Sequence, residues 1–421
     1  MSIRPSESRW QPPSPITWLL PLLLSGLLAA CAGVAPVAQT PPLPEAEIAA
    51  LRAGASILRG NPMPAVPDQD ILALDADMRR FLEQRVEGSA RLHNRLEQLL
   101  NAVVQDANFG LNYEGRTRTA RETFQHRNGN CLAFTNMFVA MARSVGLDAR
   151  FQEVDIPPVW DRQGDTIVLN RHINVNVQNV NSGGPAGMLT VWGKRNEHGR
   201  VVDFNVTDFR SFFRTELISD RRAFAHYYSN LGAEEVRDGN LALALAYLNR
   251  ALELEPGFAA AWTNLGVVYA RVEDLGAASR AYELALYHDP DSVTALSNLA
   301  SVLQRRGQTQ RAQALLAEVE SYRSSSPYYR HQLALESAAE GDFEDALAHL
   351  KYAVRKQPRE ERFHFALSAV YTALGEQGAA ARELDRAMKL ASNPLARKRY
   401  ELKIRQLQIS LEEAGAGLAL R

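Results

Sequence analysis

Residues 127–134 have the sequence RNGNCLAF, in which a loop passes into a helix. Gly129 and Asn130 favour loop backbone, and apolar residues at positions 134, 137, 138, 141 and 145 recur at helical spacing. We therefore predict that Cys131 lies at or near the first turn of a helix with one buried face. Free backbone N–H groups and the helix dipole favour a thiolate there, the form that a cysteine nucleophile needs. The alternative is a small buried apolar side chain, the more usual role of a lone cysteine.

The start of the chain is typical of an export signal. Two arginines precede an apolar run from Ile16 to Ala30, which is shorter than the about 20 residues that span a bilayer. The run ends in Leu-Ala-Ala before Cys31 and resembles a bacterial lipoprotein signal, in which this cysteine becomes the lipidated first residue. The resemblance implies a signal peptide at 1–30 and a membrane anchor at Cys31, and Ala32 favours the outer membrane, facing the periplasm. An ordinary secretory signal is the alternative.

The chain contains two cysteines, so lipidation of Cys31 would leave Cys131 without a disulfide partner. A single free thiol in an oxidising compartment needs a reason to be retained. We interpret that reason as chemistry at Cys131.

Composition excludes several classes of function. The 421 residues predict two to three domains, and 46% hydrophobic with 23% charged residues is usual for a globular protein. With 47 basic and 48 acidic residues, the net charge of −1 gives no electrostatic argument for nucleic acid as a partner. The sequence shows neither metal-ligand spacing nor a phosphate-binding glycine loop, so we expect no metal and no cofactor.

Residues 31–67 are rich in proline and alanine and predict a tether, interrupted by a short helix-like segment at 45–52. Two amphipathic helices follow, at 71–86 and 92–104. Thr119 and Glu122 have the spacing of a capping box, which predicts a short helix that ends near His126.

Beyond the Cys131 helix the apolar period changes from 3.6 to 2, which indicates β-strands. A polar turn at 196–199 predicts a hairpin. An antiparallel sheet carrying His172 and Asp203 should therefore follow the helix, with strands at 149–154, 166–169, 172–177, 189–192 and 201–206.

Cysteine, histidine and aspartate in this order meet a chemical need. A thiol needs a base of near-neutral pKa, and an imidazole needs an acceptor on its second nitrogen to fix its orientation. Adjacent strands lie about 4.8 Å apart, so His172 and Asp203 can touch if their strands pair. Asp208 is a second candidate for the acceptor.

These residues resemble the transglutaminase-like superfamily over 119–208: Asn-Gly-Asn before Cys131, then VGLDAR at 145–150, then His172 and Asp203. The resemblance implies an α+β papain-like domain at 68–222, with the helical pair at its start. It also implies Cys131 as nucleophile, His172 as base and Asp203 as the group that orients the base.

The sequence departs from the family pattern at two places. Asn174 stands where the family often has an aromatic residue after the histidine, and Phe204 stands where it often has proline. The 41-residue interval between Cys131 and His172 leaves room for a loop over the site, at 157–164.

Further residues near the predicted site have two interpretations each. His126 packs the loop or contacts substrate at its rim, and Trp160 and Trp192 wall a cleft or belong to the core. An oxyanion hole would use the Cys131 backbone N–H and one further donor that the sequence does not identify.

The second half of the chain, 225–392, repeats at a fixed interval. Pro256 and Pro290 lie 34 positions apart, and Pro358 lies two intervals further on. One unit matches every signature position of a tetratricopeptide repeat, at Trp262, Leu265, Gly266, Tyr269, Ala278, Tyr282, Ala285 and Pro290. We predict an all-α solenoid of five units, followed by a capping helix and tail at 393–421, with units that begin near Ala225, Ala259, Val293, Pro327 and Glu361.

Such arrays bind proteins or peptides on a concave face. Two functions follow. The first is a membrane-anchored envelope enzyme whose thiol acts on a peptide or protein amide, with hydrolysis favoured over amide exchange by the family resemblance. The second is a scaffold lipoprotein that binds through its repeats and carries a degenerate, non-catalytic papain-like domain.

Overall fold

The computed structural model describes residues 43–105, 109–155, 172–180, 195–196, 199–204, 215–391, 397 and 401–402. Among these residues there is no helix that is long and apolar enough to cross a membrane. Several sequence predictions fall outside the described residues: the signal peptide, the anchor at Cys31, two strands (166–169 and 189–192), the loop at 157–164, Trp160, Trp192, Asp208 and nearly all of the capping helix.

The predicted helical pair is present as α3 (Ala76–Arg85) and α4 (Leu92–Leu100), and one π-helical turn, Asn101–Gln105, follows α4. Helix α3 begins later than predicted because Asp75 caps it, with an oxygen that accepts from the Met78 N–H at 2.8 Å. Both helices bury one apolar face in the core of the domain.

Part of the predicted tether differs from a solvated linker. Residues 45–58 form α1 (Glu45–Ala53) and α2 (Ala55–Leu58), and the side chain of Leu51 is buried. Asn249 of the repeats donates to the Arg52 carbonyl at 2.7 Å and accepts from the Arg52 guanidinium at 3.2 Å. The predicted helix-like segment at 45–52 is therefore present as α1, and its apolar residues at helical spacing dock it, which the prediction of a tether did not include.

Helix α5 (Ala120–His126) begins at the predicted capping box, in which Thr119 and Glu122 each bond the other's backbone N–H. This prediction is confirmed. Short strands on either side of α5, β1 (Asn112–Tyr113) before it and β2 (Asn128–Gly129) after it, pair in parallel. Strand β2 leads directly into α6 (Cys131–Ser144).

Within the described residues, the sheet has five strands in the order β5-β6-β4-β3-β7, and every neighbouring pair is antiparallel. The predicted strands β3 and β4 are present, the predicted turn at 196–199 joins β5 to β6, and β7 was not predicted. The strands are β3 (Asp148–Val154), β4 (His172–Gln178), β5 (Arg195–Asn196), β6 (Gly199–Val202) and β7 (Thr215–Ile218).

Strand β4 alternates as its sequence predicts. Ile173, Val175 and Val177 join the apolar core that includes Phe138 of α6. The intervening polar residues share the opposite face with Asp203, which follows β6. Both faces of β4 are buried, so polar side chains on it must find partners within the protein.

Helix α7 (Asp220–Asp238) belongs to both halves of the molecule. It begins five residues before the predicted first repeat because Ser219 caps it. Asp220 forms a two-pronged ion pair with Arg143 of α6, at 2.6 and 2.8 Å. Buried Glu153 of β3 accepts from Arg222 at 3.3 Å. The first repeat is therefore packed against the domain that carries Cys131.

In the part of the chain that the structure describes, the repeat array has five helical hairpins, and four of their first helices begin at the predicted residues. Between the first two hairpins, Asn264 donates to the Ser229 hydroxyl of the preceding repeat at 3.1 Å. The helices that follow α7 are α8 (Leu241–Leu254), α9 (Ala259–Arg271), α10 (Leu275–His288), α11 (Val293–Arg305), α12 (Thr309–Ser325), α13 (Pro327–Glu340), α14 (Phe343–Lys356), α15 (Glu361–Ala373) and α16 (Gln377–Leu390).

Two glycines of one repeat should respond in opposite ways to alanine. A Cβ at Gly266 would lie 2.5 Å from the buried ring of Tyr282, whereas a Cβ at Gly276 would only reach an Asp274 oxygen at 3.7 Å. We expect Gly266→Ala to lower the free energy of unfolding by about 1–3 kcal/mol through overpacking. Gly276→Ala should be neutral or stabilising by up to about 1 kcal/mol, since alanine favours helix. Urea unfolding followed by circular dichroism measures both, and equal effects would contradict the packing of this hairpin.

Candidate thiol site at the start of helix α6

Cys131 is the first residue of α6, as the sequence predicts. Asn130 caps the helix in an extended conformation, and its side-chain oxygen accepts from the Ala133 N–H at 2.9 Å. Among the described residues, the Cys131 N–H donates to no acceptor, as expected for the first turn of a helix. The sulfur is half-buried, whereas the helix from Leu132 to Ala142 is buried throughout. The sulfur thus lies where the helix dipole stabilises negative charge.

The loop before Cys131 is held on its other side by a segment that precedes α5. Strand β1 pairs with β2, and the N–H of Glu114 donates to the Gly129 carbonyl at 2.9 Å. A side chain at Gly129 is excluded by close approach, because its Cβ would lie 2.6 Å from the Cβ of Ala133. Glycine at this position therefore lets the loop press against the first turn of α6.

The base and its orienting group lie together on the sheet. His172 opens β4, and its Nε2 lies 2.6 Å from Oδ1 of Asp203. The other oxygen of Asp203 accepts from the Asn174 amide at 2.9 Å. His172 and Asp203 are 2% and 4% exposed, so their pair is shielded from water. Asn174, which departs from the family pattern, thus holds the carboxylate in place.

Cys131 lies close enough to the imidazole of His172 to raise its pKa. Since Nε2 is engaged by Asp203, Nδ1 is the nitrogen left available to the thiol. The hydroxyl of Thr135, one turn into α6, donates to the Ile173 carbonyl at 3.0 Å and fixes the start of β4 beside the start of the helix. The structure therefore brings together all three predicted residues: thiol, imidazole and carboxylate.

Electrostatics at the site favour a charged imidazole. Burial lowers the pKa of His172, but the hydrogen bonds and charges of Asp203 and Cys131 raise it more strongly, to about 10. The Asp203 carboxylate orients the imidazole and favours a positive charge on it, beside the sulfur. An imidazolium next to a thiol is the arrangement that a thiolate–imidazolium pair needs.

Tyr113 is a neighbour of the site that sequence reasoning missed. It pairs with Gly129 in register, two residues before Cys131, and its side chain is 58% exposed. Partial burial and the charge of Cys131 both raise the pKa of its hydroxyl. A two-residue strand leaves no periodic signal in a sequence, so only the coordinates could place this ring beside the thiol.

The remaining predicted residues lie apart or outside the described residues. His126 is exposed at the end of α5 and contributes nothing to the triad. Asp208, the other candidate for the third role, is outside the described residues, and Asp203 makes the contact that the role requires. Within the described part of the chain, no group of three or more His, Cys, Asp or Glu side chains could hold a metal ion.

Comparison with known families agrees with this geometry. Residues 80–178 match the profile of the transglutaminase-like superfamily, and residues 230–293 and 331–394 match that of the tetratricopeptide repeat. The chain thus carries a transglutaminase-like domain of α+β, papain-like fold followed by an all-α repeat array, as its sequence predicted. The first match contains Cys131 and His172 and ends before Asp203. The repeat half is a module of the protein-binding class.

Individual relatives resemble parts of the chain. The tetratricopeptide repeat domain-containing protein PYG7, chloroplastic, of Arabidopsis thaliana is 36% identical over 76 residues, which are 18% of this chain and 25% of the relative. The chain thus spans about a quarter of the length of the curated relative it matches.

Solved structures with similarity to the chain include YrrB, described as a repeat protein with an unusual peptide-binding site. It is 22% identical, covers 42% of this chain and 91% of its own, and has a TM-score of 0.23. MamA of Desulfovibrio magneticus RS-1 is 22% identical, covers 41% of this chain and 96% of its own, and has a TM-score of 0.23. The protein pilF of Pseudomonas aeruginosa is 20% identical, covers 48% of this chain and 92% of its own, and has a TM-score of 0.25.

The charge on His172 should depend on Asp203. Because the folded-state pKa is raised from 6.5 to about 10, the imidazolium stabilises the fold fully below pH 6.5, and this contribution is lost as the pH rises toward 10. We expect Asp203→Asn to lower the pKa of His172, measured by NMR titration of the labelled ring. Asp148→Asn, which removes a carboxylate paired with surface Arg150 at 2.9 Å, serves as the control. A ring that titrates near 6.5 in the parent protein would contradict the charge assignment.

Proposed function

We propose that this chain is a thiol enzyme of the transglutaminase-like class that acts on an amide of a peptide or protein. One observation carries the proposal: the buried ring of His172 contacts the Asp203 carboxylate at 2.6 Å and lies near enough to Cys131 for the thiol to raise its pKa. A binding surface needs no such arrangement, whereas nucleophilic catalysis by a thiol needs each part of it.

The first half-reaction would transfer the acyl group of the substrate to sulfur. The Cys131 thiolate attacks the amide carbonyl, and the carbonyl electron pair moves to oxygen. The backbone N–H of Cys131, at the first position of α6, can donate to this oxyanion. His172 then gives its proton to the departing amine as the C–N bond breaks, which leaves a thioester at Cys131.

The second half-reaction would release the acyl group. Neutral His172 takes a proton from water, whose oxygen attacks the thioester carbonyl, and the C–S bond breaks with its electron pair left on sulfur. The carboxylic acid departs and the thiolate–imidazolium pair returns. A primary amine in place of water would give a new amide, and we favour water because hydrolysis is what the family resemblance implies.

The rest of the chain would bring substrate and enzyme together at the cell envelope. Repeats of the protein-binding class support binding of a protein or peptide, which we assign to the concave face of the array. The lipoprotein-like pattern that ends at Cys31 supports an anchor in the outer membrane with the enzyme facing the periplasm. Exposed Tyr113 beside the thiol marks the side from which a substrate would approach.

The reactivity of Cys131 distinguishes an enzyme from a scaffold. We expect iodoacetamide to alkylate Cys131 well below pH 8.5, about the pKa of a free thiol, because the neighbouring imidazolium stabilises the thiolate. His172→Ala should lower the rate at pH 7, and the exposed control His126→Ala should leave it unchanged. Mass spectrometry of the peptide that contains Cys131 separates this label from any at Cys31. A thiol that reacts like a free cysteine and is indifferent to His172 would favour the scaffold.

An acyl-enzyme should form on this sulfur. With p-nitrophenyl acetate as a general acyl donor, we expect one acetyl group at Cys131, detected by intact mass and then lost to water. Cys131→Ser should abolish the adduct and leave the repeats folded, as judged by circular dichroism, because the serine lacks an ionised nucleophile. Unfolding of the repeats in this variant would show that the two halves do not separate as proposed.

A further inference from the structure

Helix α7 of the first repeat contacts the thiol domain at several places, including the following three. Two of them, the Asp220–Arg143 pair and the contacts of Arg222 and His226 with Glu153, lie on α6 and the sheet away from the sulfur. The third is different. Glu234, three turns further along α7, accepts from the Thr117 N–H at 2.7 Å. Thr117 lies in the segment that clasps the loop before Cys131.

From Thr117 the contact continues to the start of α6. The Thr117 hydroxyl accepts from the Asn130 side-chain amide at 2.7 Å, and the Arg116 carbonyl accepts from the Asn130 N–H at 3.0 Å. Asn130 in turn caps α6 through the Ala133 N–H. A continuous series of hydrogen bonds therefore joins a carboxylate of the first repeat to the helix turn that carries the sulfur.

The burial of Glu234 indicates that its hydrogen bond to Thr117 has a specific structural role. Its side chain is 7% exposed and Thr117 is 6% exposed. A buried carboxylate is costly unless it is hydrogen-bonded and paired, and Glu234 meets that need with the Thr117 N–H and with Arg116 at 3.5 Å. An apolar residue at this position could pack α7 without the cost, but it could not hold the Thr117 backbone.

We propose that Glu234 is a positioning residue for the thiol site and that it couples the first repeat to the reactivity of Cys131. The proposal rests on the proposed function of that thiol. Glu234 fixes Thr117, Thr117 fixes the side chain of Asn130, and Asn130 fixes the first turn of α6. Since Cys131 is the next residue, loss of the series would move the sulfur relative to the ring of His172.

Two pairs of variants test the series in the full chain, with the pH profile of iodoacetamide alkylation at Cys131 as the measurement. We expect Glu234→Ala to reduce the rate at pH 7 by about tenfold or more, since a sulfur displaced from the imidazolium is only a few per cent ionised at this pH, as in a free cysteine. Glu234→Gln keeps an acceptor for the Thr117 N–H and should retain most of the rate. Thr117→Val should reduce the rate and Thr117→Ser should preserve it, because only serine keeps the hydroxyl.

Whether the alkylation rate falls or rises distinguishes a positioning role of Glu234 from an effect of its negative charge. Removal of a nearby carboxylate would by itself favour a negative sulfur and raise the rate at pH 7. Positioning predicts the opposite, together with an unchanged limiting rate at high pH, where every thiol is ionised. Glu235→Gln is the matched control, since Glu235 on the same helix contacts Asn240 at 2.7 Å and not Thr117. It should leave the profile unchanged.

The outcomes distinguish failure of this proposal from failure of the proposed function. If the parent protein is alkylated only as a free thiol, the proposed function fails before any variant is made. If the parent thiol is reactive but Glu234→Ala and Thr117→Val, folded by circular dichroism, keep its profile, the coupling is overturned. Should Glu234→Ala not fold, the comparison of Thr117→Val with Thr117→Ser decides, because valine replaces the hydroxyl by a methyl group and serine keeps the hydroxyl.

Discussion

The reactive end of the thiol domain depends on the hydrogen bonds of Asn130. Its side-chain oxygen accepts from Ala133 within α6, while its amide nitrogen donates to Thr117 and its backbone N–H donates to Arg116 outside the helix. Aspartate or serine would cap the helix equally well, but neither side chain accepts from the helix and donates an amide N–H across the loop. Asparagine therefore fixes both where α6 begins and where the sulfur of Cys131 lies.

The sheet supplies the second half of the site at an energetic cost. Asp203, Asn174 and His172 lie in an interior where a charged pair gives less stability than apolar side chains of similar size would. Asn174 reduces that cost by donating to the second carboxylate oxygen. A pair of this kind stabilises the fold little but holds an imidazole in one orientation and one charge state, which is a requirement of catalysis rather than of packing.

The elements of this structure that could be predicted from the sequence are those with a local sequence signal. The cap and apolar period around Cys131, the alternation that carries His172 and the spacing of the repeats each reflect one element at a time. What sequence reasoning missed depends on contacts between distant residues. The docking of α1 onto Asn249 and the placement of Tyr113 and Glu234 arise from tertiary packing, which neither composition nor periodicity encodes.

The shared helix α7 gives the two halves a thermodynamic relation as well as a contact. If the geometry of the thiol depends on the bond from Glu234 to Thr117, a partner that shifts α7 when it binds the repeats also changes the environment of Cys131. Coupling free energies are reciprocal, so acylation of Cys131 must then change the affinity of the array for that partner by the same factor. The repeat array would in this way bind a partner more tightly in one state of Cys131, acylated or free, and release it in the other.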